Sequence, residues 1–331
     1  MNTATLKEIG TLDCHKNMVT CLKINEEGPQ ERLFSSSRDK KAYMWTLERT
    51  TEGIGKVMKE YDQHNFYVNS IVTNKTGDKL ITACADSVVR IFDVETKDMK
   101  YLKGHSGDIL CVAINSNDNK IVTGSMDKTI CLWNTEGALV RRFGSGITNS
   151  QKGWITCIAF MPSNEDNILT GSTDGTLNVW DIETGEIIKT YINGSEIKPS
   201  YNEEKKRVPK TIKCAAAVTA LSITPDGALC AYGSRDSEIF VFNLMNDGFT
   251  KIIKTDSAVT ALAFALTDTI LACATETEIC LWDVINNNWL FKLDCSEYGK
   301  NVHCSSLVWS RNNLIAGFTN GKIIVYDCPR Q

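Results

Sequence analysis

Residues 105–134 read HSGDILCVAINSNDNKIVTGSMDKTICLWN, and their apolar positions alternate with polar ones in three short bursts. ILCVAI, KIVTGS and TICLW each have the period of two expected of strands, while NSNDN and MDK between them are turn-formers. A fourth burst, ALVRRF, follows. The predicted unit is four short antiparallel strands joined by tight turns, and it recurs. An acidic or amide residue is followed six positions later by an aromatic at Asp39/Trp45, Asp86/Phe92, Asp127/Trp133, Asp174/Trp180, Asp236/Phe242, Glu276/Trp282 and Asn320/Tyr326. Successive aromatics lie 47, 41, 47, 62, 40 and 44 residues apart. A period of about 40–45 residues is that of four-stranded propeller blades.

The expected fold is therefore all-β, a seven-bladed propeller with approximate blades at 12–60, 61–101, 102–144, 145–192, 214–252, 253–294 and 300–329. Two intervals are long. After Trp45, TLERTTEGIGKVMKEYDQ is expected to add a loop between the third and fourth strands of blade one. Residues 193–213, rich in Pro, Gly and charge, are expected as an inserted, exposed loop. Three of the four histidines, His15, His64 and His105, fall at one beat of the repeat. There a buried imidazole can bond the turn carboxylate and, through a strand hydroxyl such as Thr123, reach the blade aromatic. The expected structural network comprises these histidines with Asp39, Asp86, Asp127, Asp174, Asp236, Trp45, Trp133, Trp180 and Trp282. Blades four to seven lack the histidine and need other bonds at their turns.

Composition narrows the function. With 42% hydrophobic and 23% charged residues over 331, the chain can bury a sizeable core. A net charge of −4 gives no global pull toward nucleic acid, so any such contact needs a local basic patch. No run approaches the roughly 18–20 apolar residues that cross a bilayer, and MNTATLKEIG does not read as a signal peptide. A cytoplasmic protein without membrane insertion is expected. Thirteen cysteines lie scattered, never as C-x-x-C, and read as small buried hydrophobes rather than metal ligands. Nucleotide-binding glycine loops, nucleophile elbows and H-E-x-x-H are missing. His303 stands alone and reads as a packing residue. The expectation is a binding platform, not an enzyme, with no cofactor, metal or small-molecule substrate.

Gly-His near the start of a repeat and Trp-Asp or its relatives at the end resemble the WD-repeat family, over nearly the whole chain. The resemblance implies a ring closed by an N-terminal strand, here residues 4–11, added to a last blade whose inner strands lie within 303–328. LFSSSRDKKAYMW (33–45) resembles more narrowly the first blade of the family of the receptor for activated protein kinase C. GHSGDILCVAI with IVTGSMDKTICLWNTEG (104–137), WITCIAF (154–160), PDGALCAYGSRD (225–236), and CSSLVWS with IAGFTNGKIIVYD (304–327) agree.

That resemblance implies a scaffold on the head of the small (40S) ribosomal subunit. It would contact 18S rRNA and neighbouring ribosomal proteins and recruit kinases and translation factors. Matched residue by residue, it puts Arg38 and Lys40 at the RNA, either side of a turn carboxylate that stays engaged. Lys41 adjoins them but alternates toward the other face of its strand, and Lys100 and Lys103 are weaker candidates in the next blade. Arg141-Arg142 and the Lys205–Lys213 run read as solvated. The chain departs from the family at 193–213, where a short Gly-His junction is usual. It also has Phe or Tyr for Trp in blades two, five and seven, and a short connection before blade seven. The competing reading is a WD-repeat subunit of a translation initiation factor, or of another multiprotein complex, not itself bound to rRNA. A G-protein β subunit would carry a long N-terminal helix. A ubiquitin-ligase receptor would favour W-D-x-R over the WDIE, WDVI and WNTE found here.

Overall fold

The computed structural model describes residues 6–25, 27–28, 30–50, 53–144, 151–192, 195–197, 200–201, 207–208, 216–245, 248–266, 269–311 and 313–328. Seven antiparallel sheets succeed one another, each with its strands in chain order except the last. Blade one comprises Val19–Ile24, Arg32–Ser37, Ala42–Thr50 and Gly53–Tyr61; blade two, Val68–Thr73, Lys79–Cys84, Val88–Asp93 and Met99–Lys103. Blade three comprises Ile109–Ile114, Lys120–Ser125, Ile130–Asn134 and Leu139–Phe143; blade four, Ile155–Met161, Asn164–Ser172, Thr176–Asp181 and Glu186–Ile192. Blade five comprises Val218–Ile223, Leu229–Ser234, Glu238–Asn243 and Gly248–Lys254; blade six, Val259–Phe264, Ile270–Thr275, Glu278–Asp283 and Asn288–Asp294. Blade seven has Cys304–Trp309, Asn313–Phe318 and Lys322–Asp327, and takes its outer strand, Lys7–Asp13, from the other end of the chain. The innermost strands touch in succession, and Cys304–Trp309 returns to Val19–Ile24, so the ring is closed.

Burial explains the strand composition. The second strand of blade three, KIVTGS, is buried from Ile121 to Ser125 because neighbouring blades cover both its faces. The outer strand, LVRRF, is exposed except at Phe143. Where blade faces meet, one position of the second strand must be small. A Cβ on Gly124 would lie 2.4 Å from Ile155, and one on Gly233 would lie 2.3 Å from Val259. Ser36, Ala83, Gly171, Ala274 and Gly317 hold the same register in the other blades.

Polar bonds join the inner strands around the ring. Thr20 donates to the Val68 carbonyl, Asn69 to Ile109, Thr156 to Val218, Thr219 to Val259, Thr260 to Cys304, and Ser305 back to Val19. The corresponding residue at the boundary of blades three and four is Leu110, which has no such donor. The thiol of the following residue, Cys111, approaches the Ile155 carbonyl instead, at 3.6 Å.

Three segments differ from expectation. The closing strand pairs from Lys7 to Asp13 rather than over 4–11, and residues 4 and 5 lie outside the described ones. The extra residues after Trp45 are not a loop: they lengthen a hairpin whose arms run to Thr50 and from Gly53. That extension is anchored by Ile54, buried beside Leu12 of the closing strand, where Gly10 leaves it room. Within 193–213, Ser195–Ile197 forms a fifth strand on blade four, and Ser200–Tyr201 pairs with Arg207–Val208. The rest of that insertion lies outside the described residues.

Candidate nucleic-acid interface

The turn between the second and third strands of each blade sets the geometry of the candidate site. In blade one, His15 Nδ1 lies 2.8 Å from Asp39 Oδ2 and Nε2 lies 2.8 Å from Ser35 Oγ; Trp45 Nε1–H donates to the same Oγ at 2.8 Å. A carboxylate only accepts, so Nδ1 carries the proton and Nε2 accepts from the serine hydroxyl. Blade three repeats this chain as Asp127, His105, Thr123 and Trp133, with distances of 3.0, 2.8 and 2.9 Å. Burial raises the Asp127 pKa. The bonds from His105, Thr129 and the Ser106 amide outweigh it and hold the carboxyl well below the usual range. Asp39 is lowered in the same way, its burial outweighed by His15 and the Lys16 and Lys41 amides. Blade four substitutes an amide: Gln151 bonds Thr176 and Asn178, Asp174 accepts from Thr176, and Trp180 donates to Thr170 at 2.8 Å.

The remaining blades depart from the expected network. In blade two, Asp86 is taken by Arg90, whose guanidinium is 2% exposed and bonds both carboxylate oxygens at 2.6 and 3.1 Å. His64 keeps its bond to Thr82 at 2.9 Å, but its Nδ1 and the Arg90 Nε have no hydrogen-bond partner among the described residues. Burial first, then the Arg90 charge, push the His64 pKa down to about 4. Blade five has Tyr232 at the hydroxyl position, and Asp236 is exposed with no side-chain bond among the described residues. Blade six has Cys273 there, so Trp282 lacks the hydroxyl acceptor; it packs edge-on to Trp289 at 4.6 Å, with the Lys251 ammonium 4.7 Å from its ring. In blade seven, Tyr326 donates to Tyr298 at 2.8 Å, and His303 is half-buried and tied by its backbone to Thr319.

Because Asp39 is held from below, its two neighbours point away. Arg38 and Lys40 are exposed, and neither has an ion pair among the described residues. Lys40 has φ 71°, a left-handed turn position that Gly175 and Gly321 occupy in blades four and seven. Lys41 is bonded to Glu60 on the outer strand of blade one and is turned away from the pair. Sequence reasoning missed two further residues. Phe66 and Tyr67, 56% and 44% exposed, lie on the loop entering blade two. The Lys40 ammonium lies 5.7 Å from the Phe66 ring, and the Arg38 guanidinium 5.7 Å from the Tyr67 ring. Only the fold brings these segments together, so spacing alone carried no signal of it.

The weaker candidates separate. Lys100 reaches Glu136 at 3.4 Å, in the third-to-fourth-strand turn of blade three. Lys103 pairs in register with Val88, at the end of blade two that carries the Asp86 turn. Arg142 is bonded to Asp127 and the Gly104 carbonyl, and Arg141 to the Thr184 carbonyl. The side chains of Lys205, Lys206, Arg207, Lys210 and Lys213 lie outside the described residues. Among the described residues no group of three or more His, Cys, Asp or Glu could hold a metal, and the cysteines are free thiols.

A closed ring of seven such blades, with Asp–His–hydroxyl–Trp chains at the turns of blades one and three, defines a WD-repeat propeller. The family model "WD domain, G-beta repeat" matches residues 6–46, 55–93, 96–134, 144–181 and 207–243. The chain is 34% identical over 326 residues to a "Guanine nucleotide-binding protein subunit beta-like protein" of Encephalitozoon cuniculi, covering 98% of each. It is 26% identical to the "Small ribosomal subunit protein RACK1" of Medicago sativa, covering 97% of each. It is 25% identical to the protein of that name in Caenorhabditis elegans, covering 97% of this chain and 96% of the relative. The chain belongs to the RACK1 family of WD-repeat propellers, the receptor for activated C kinase and guanine nucleotide-binding β-subunit-like proteins.

Proposed function

We propose that this propeller is a non-catalytic scaffold of the small ribosomal subunit, anchored to 18S rRNA through Arg38 and Lys40. The observation that carries the reading is the blade-one turn. Its carboxylate is committed to His15 and to backbone amides, which leaves two cations without ion pairs among the described residues on a rigid edge. Arg can fork onto phosphate oxygens and Lys supplies a compact charge beside it. Two relatives are named as small ribosomal subunit proteins, which supports the ribosome as the site of attachment. Lys41 and Lys100, held by Glu60 and Glu136, are secondary to this pair, and Lys103 is a peripheral contact.

The remaining rim and faces recruit protein kinases and translation regulators in the cytoplasm, so the scaffold acts by colocalisation. Tethering raises the effective concentration of partners beside the ribosome without new chemistry. The test is sucrose-gradient sedimentation of a lysate containing wild type or the Arg38→Asp/Lys40→Glu variant. Wild type is expected with small subunits and the folded variant at the top. Wild type remaining at the top in low salt would overturn the ribosomal reading and favour a WD-repeat subunit of a complex not itself bound to rRNA. Lys40→Gly, which suits the left-handed turn, removes one charge without strain and is expected to weaken association partially.

A further inference from the structure

The boundary between blades one and two carries more than charge. Three carboxylates there are consumed internally: Asp39 by His15, Glu60 by Lys41 and Asp86 by Arg90. Arg38 and Lys40 are left facing solvent, and each lies within cation–π range of an aromatic ring. Adjacent in the chain, Phe66 and Tyr67 remain about half exposed although apolar rings gain by burial. The loop that carries them is fixed at both ends. His64 is bonded to Thr82, and the Tyr67 carbonyl accepts from the Ala85 amide. Cations beside solvent-facing rings on a rigid loop match the way single strands are held, with phosphates on the charges and bases on the rings. A regular helix offers phosphates but keeps its base faces stacked inside.

We propose that Phe66 and Tyr67 form a stacking shelf for unpaired bases, so that this edge takes a looped or bulged RNA segment rather than a continuous duplex. The inference rests on the reading that Arg38 and Lys40 hold RNA phosphates, and it adds the class of RNA structure selected. The exposed Asp62 in the same loop sets a limit, disfavouring a second phosphate directly over that end of the shelf.

The test is fluorescence anisotropy of the full chain against two labelled RNA probes of equal charge. One is a hairpin with a six-nucleotide single-stranded loop and the other a fully paired duplex. Wild type is expected to bind the looped probe about tenfold more tightly, since stacking of one base on an aromatic contributes on that order. Phe66→Ala/Tyr67→Ala is expected to lose that preference while keeping its affinity for the duplex and its salt dependence. Phe66→Trp/Tyr67→Trp keeps the ring faces and is expected to retain the preference, which controls for folding. Arg38→Glu/Lys40→Glu is expected to weaken both probes alike. Equal binding of the two probes by wild type, or an unchanged preference in the alanine variant, overturns the shelf while the phosphate contact stands. Binding of neither probe by wild type overturns the RNA reading and the shelf with it. Competition by a ten-residue polyglutamate as strong as by the looped RNA overturns the shelf in favour of an acidic protein partner.

Discussion

The hydroxyl of Ser305 donates to the carbonyl of Val19 at 2.5 Å, bonding two residues 286 positions apart and sealing the last inter-blade joint of the ring. Five other joints have a bond of the same kind, and the joint at Leu110 does not. Leu110→Thr places a hydroxyl at the joint where the Ile155 carbonyl now has only the weak Cys111 thiol as its side-chain donor, and a net intramolecular hydrogen bond contributes about 0.5–1.5 kcal/mol. The variant is expected to unfold at a higher urea midpoint with unchanged slope. A lower midpoint would mean that the Leu110 side chain contributes more by packing than the missing bond would.

The turn networks differ in what depends on them. His105 joins a carboxylate, a strand hydroxyl and the Trp133 indole inside the blade. His105→Ala takes one partner from the Asp127 carboxylate and one from the Thr123 hydroxyl, while Thr129, the Ser106 amide and the Trp133 indole keep their bonds, and is expected to destabilise by about 1–3 kcal/mol. Asp236 is exposed with no side-chain bond among the described residues, and Asp236→Ala is expected to stay within about 0.5 kcal/mol of wild type. Chemical denaturation of the two variants side by side checks the contrast.

His64 makes stability depend on pH in a definite direction. The unfolded imidazole takes a proton near its ordinary 6.5, whereas the folded ring takes none until about 4. Between those values the unfolded chain binds more protons, so stability falls as pH drops from about 6.5 to about 4. The loss is at most ~1.4 kcal/mol per pH unit. His64→Gln, which gives blade two the amide that blade four has in Gln151, removes the titrating group and is expected to flatten the profile in that window. An unchanged slope in the variant would assign the acid sensitivity elsewhere.

Contact between blades leaves no room for one extra methyl in several places. Val substituted at Gly233, on the second strand of blade five, would drive its Cβ to within 2.3 Å of Val259 Cγ1 on the innermost strand of blade six. Gly233→Val is expected to lower stability by about 1–3 kcal/mol through overpacking, read as a reduced melting temperature.

Phosphate contacts release counterions, so the Arg38 and Lys40 contribution to RNA binding has a salt signature. Replacing both with neutral residues is expected to reduce the slope of log K against log salt by about 2. Titration of the same RNA at several salt concentrations measures it, and an unchanged slope would remove both residues from the interface.

The repeat was legible because every blade solves one steric problem in one way, and the six-residue offset from turn to aromatic follows from that. Blade two was not, although a clue was present. Arg90 stands inside VVRIF, where blade three has ICLW, four residues after Asp86, and a buried cation there takes the carboxylate from His64. Blade six hid its loss in a single residue, Cys273, which fills the volume of a threonine but offers indole only a weak acceptor. The hairpin after Trp45 read as a loop because Thr and Glu dominate its tip. Its anchor, Ile54 against Leu12, is a contact between strands of different blades that no local pattern reveals. At the candidate site, the cations were visible in sequence. Their aromatic neighbours come from the next blade's loop and meet them only in three dimensions.

The closing strand has a consequence for biosynthesis. Lys7–Asp13 is translated roughly 300 residues before its partner Lys322–Asp327. At 5–20 residues per second the roughly 300 residues between them take on the order of 15–60 s. Throughout that interval the nascent chain carries an unpaired strand whose Leu12 can meet blade one but not its partners Ile315, Ile323 and Val325. A second chain growing on the same message presents the same open edge. Completion is a race between a chain's own tail and a neighbour's, and when the neighbour wins the product is a strand-exchanged dimer.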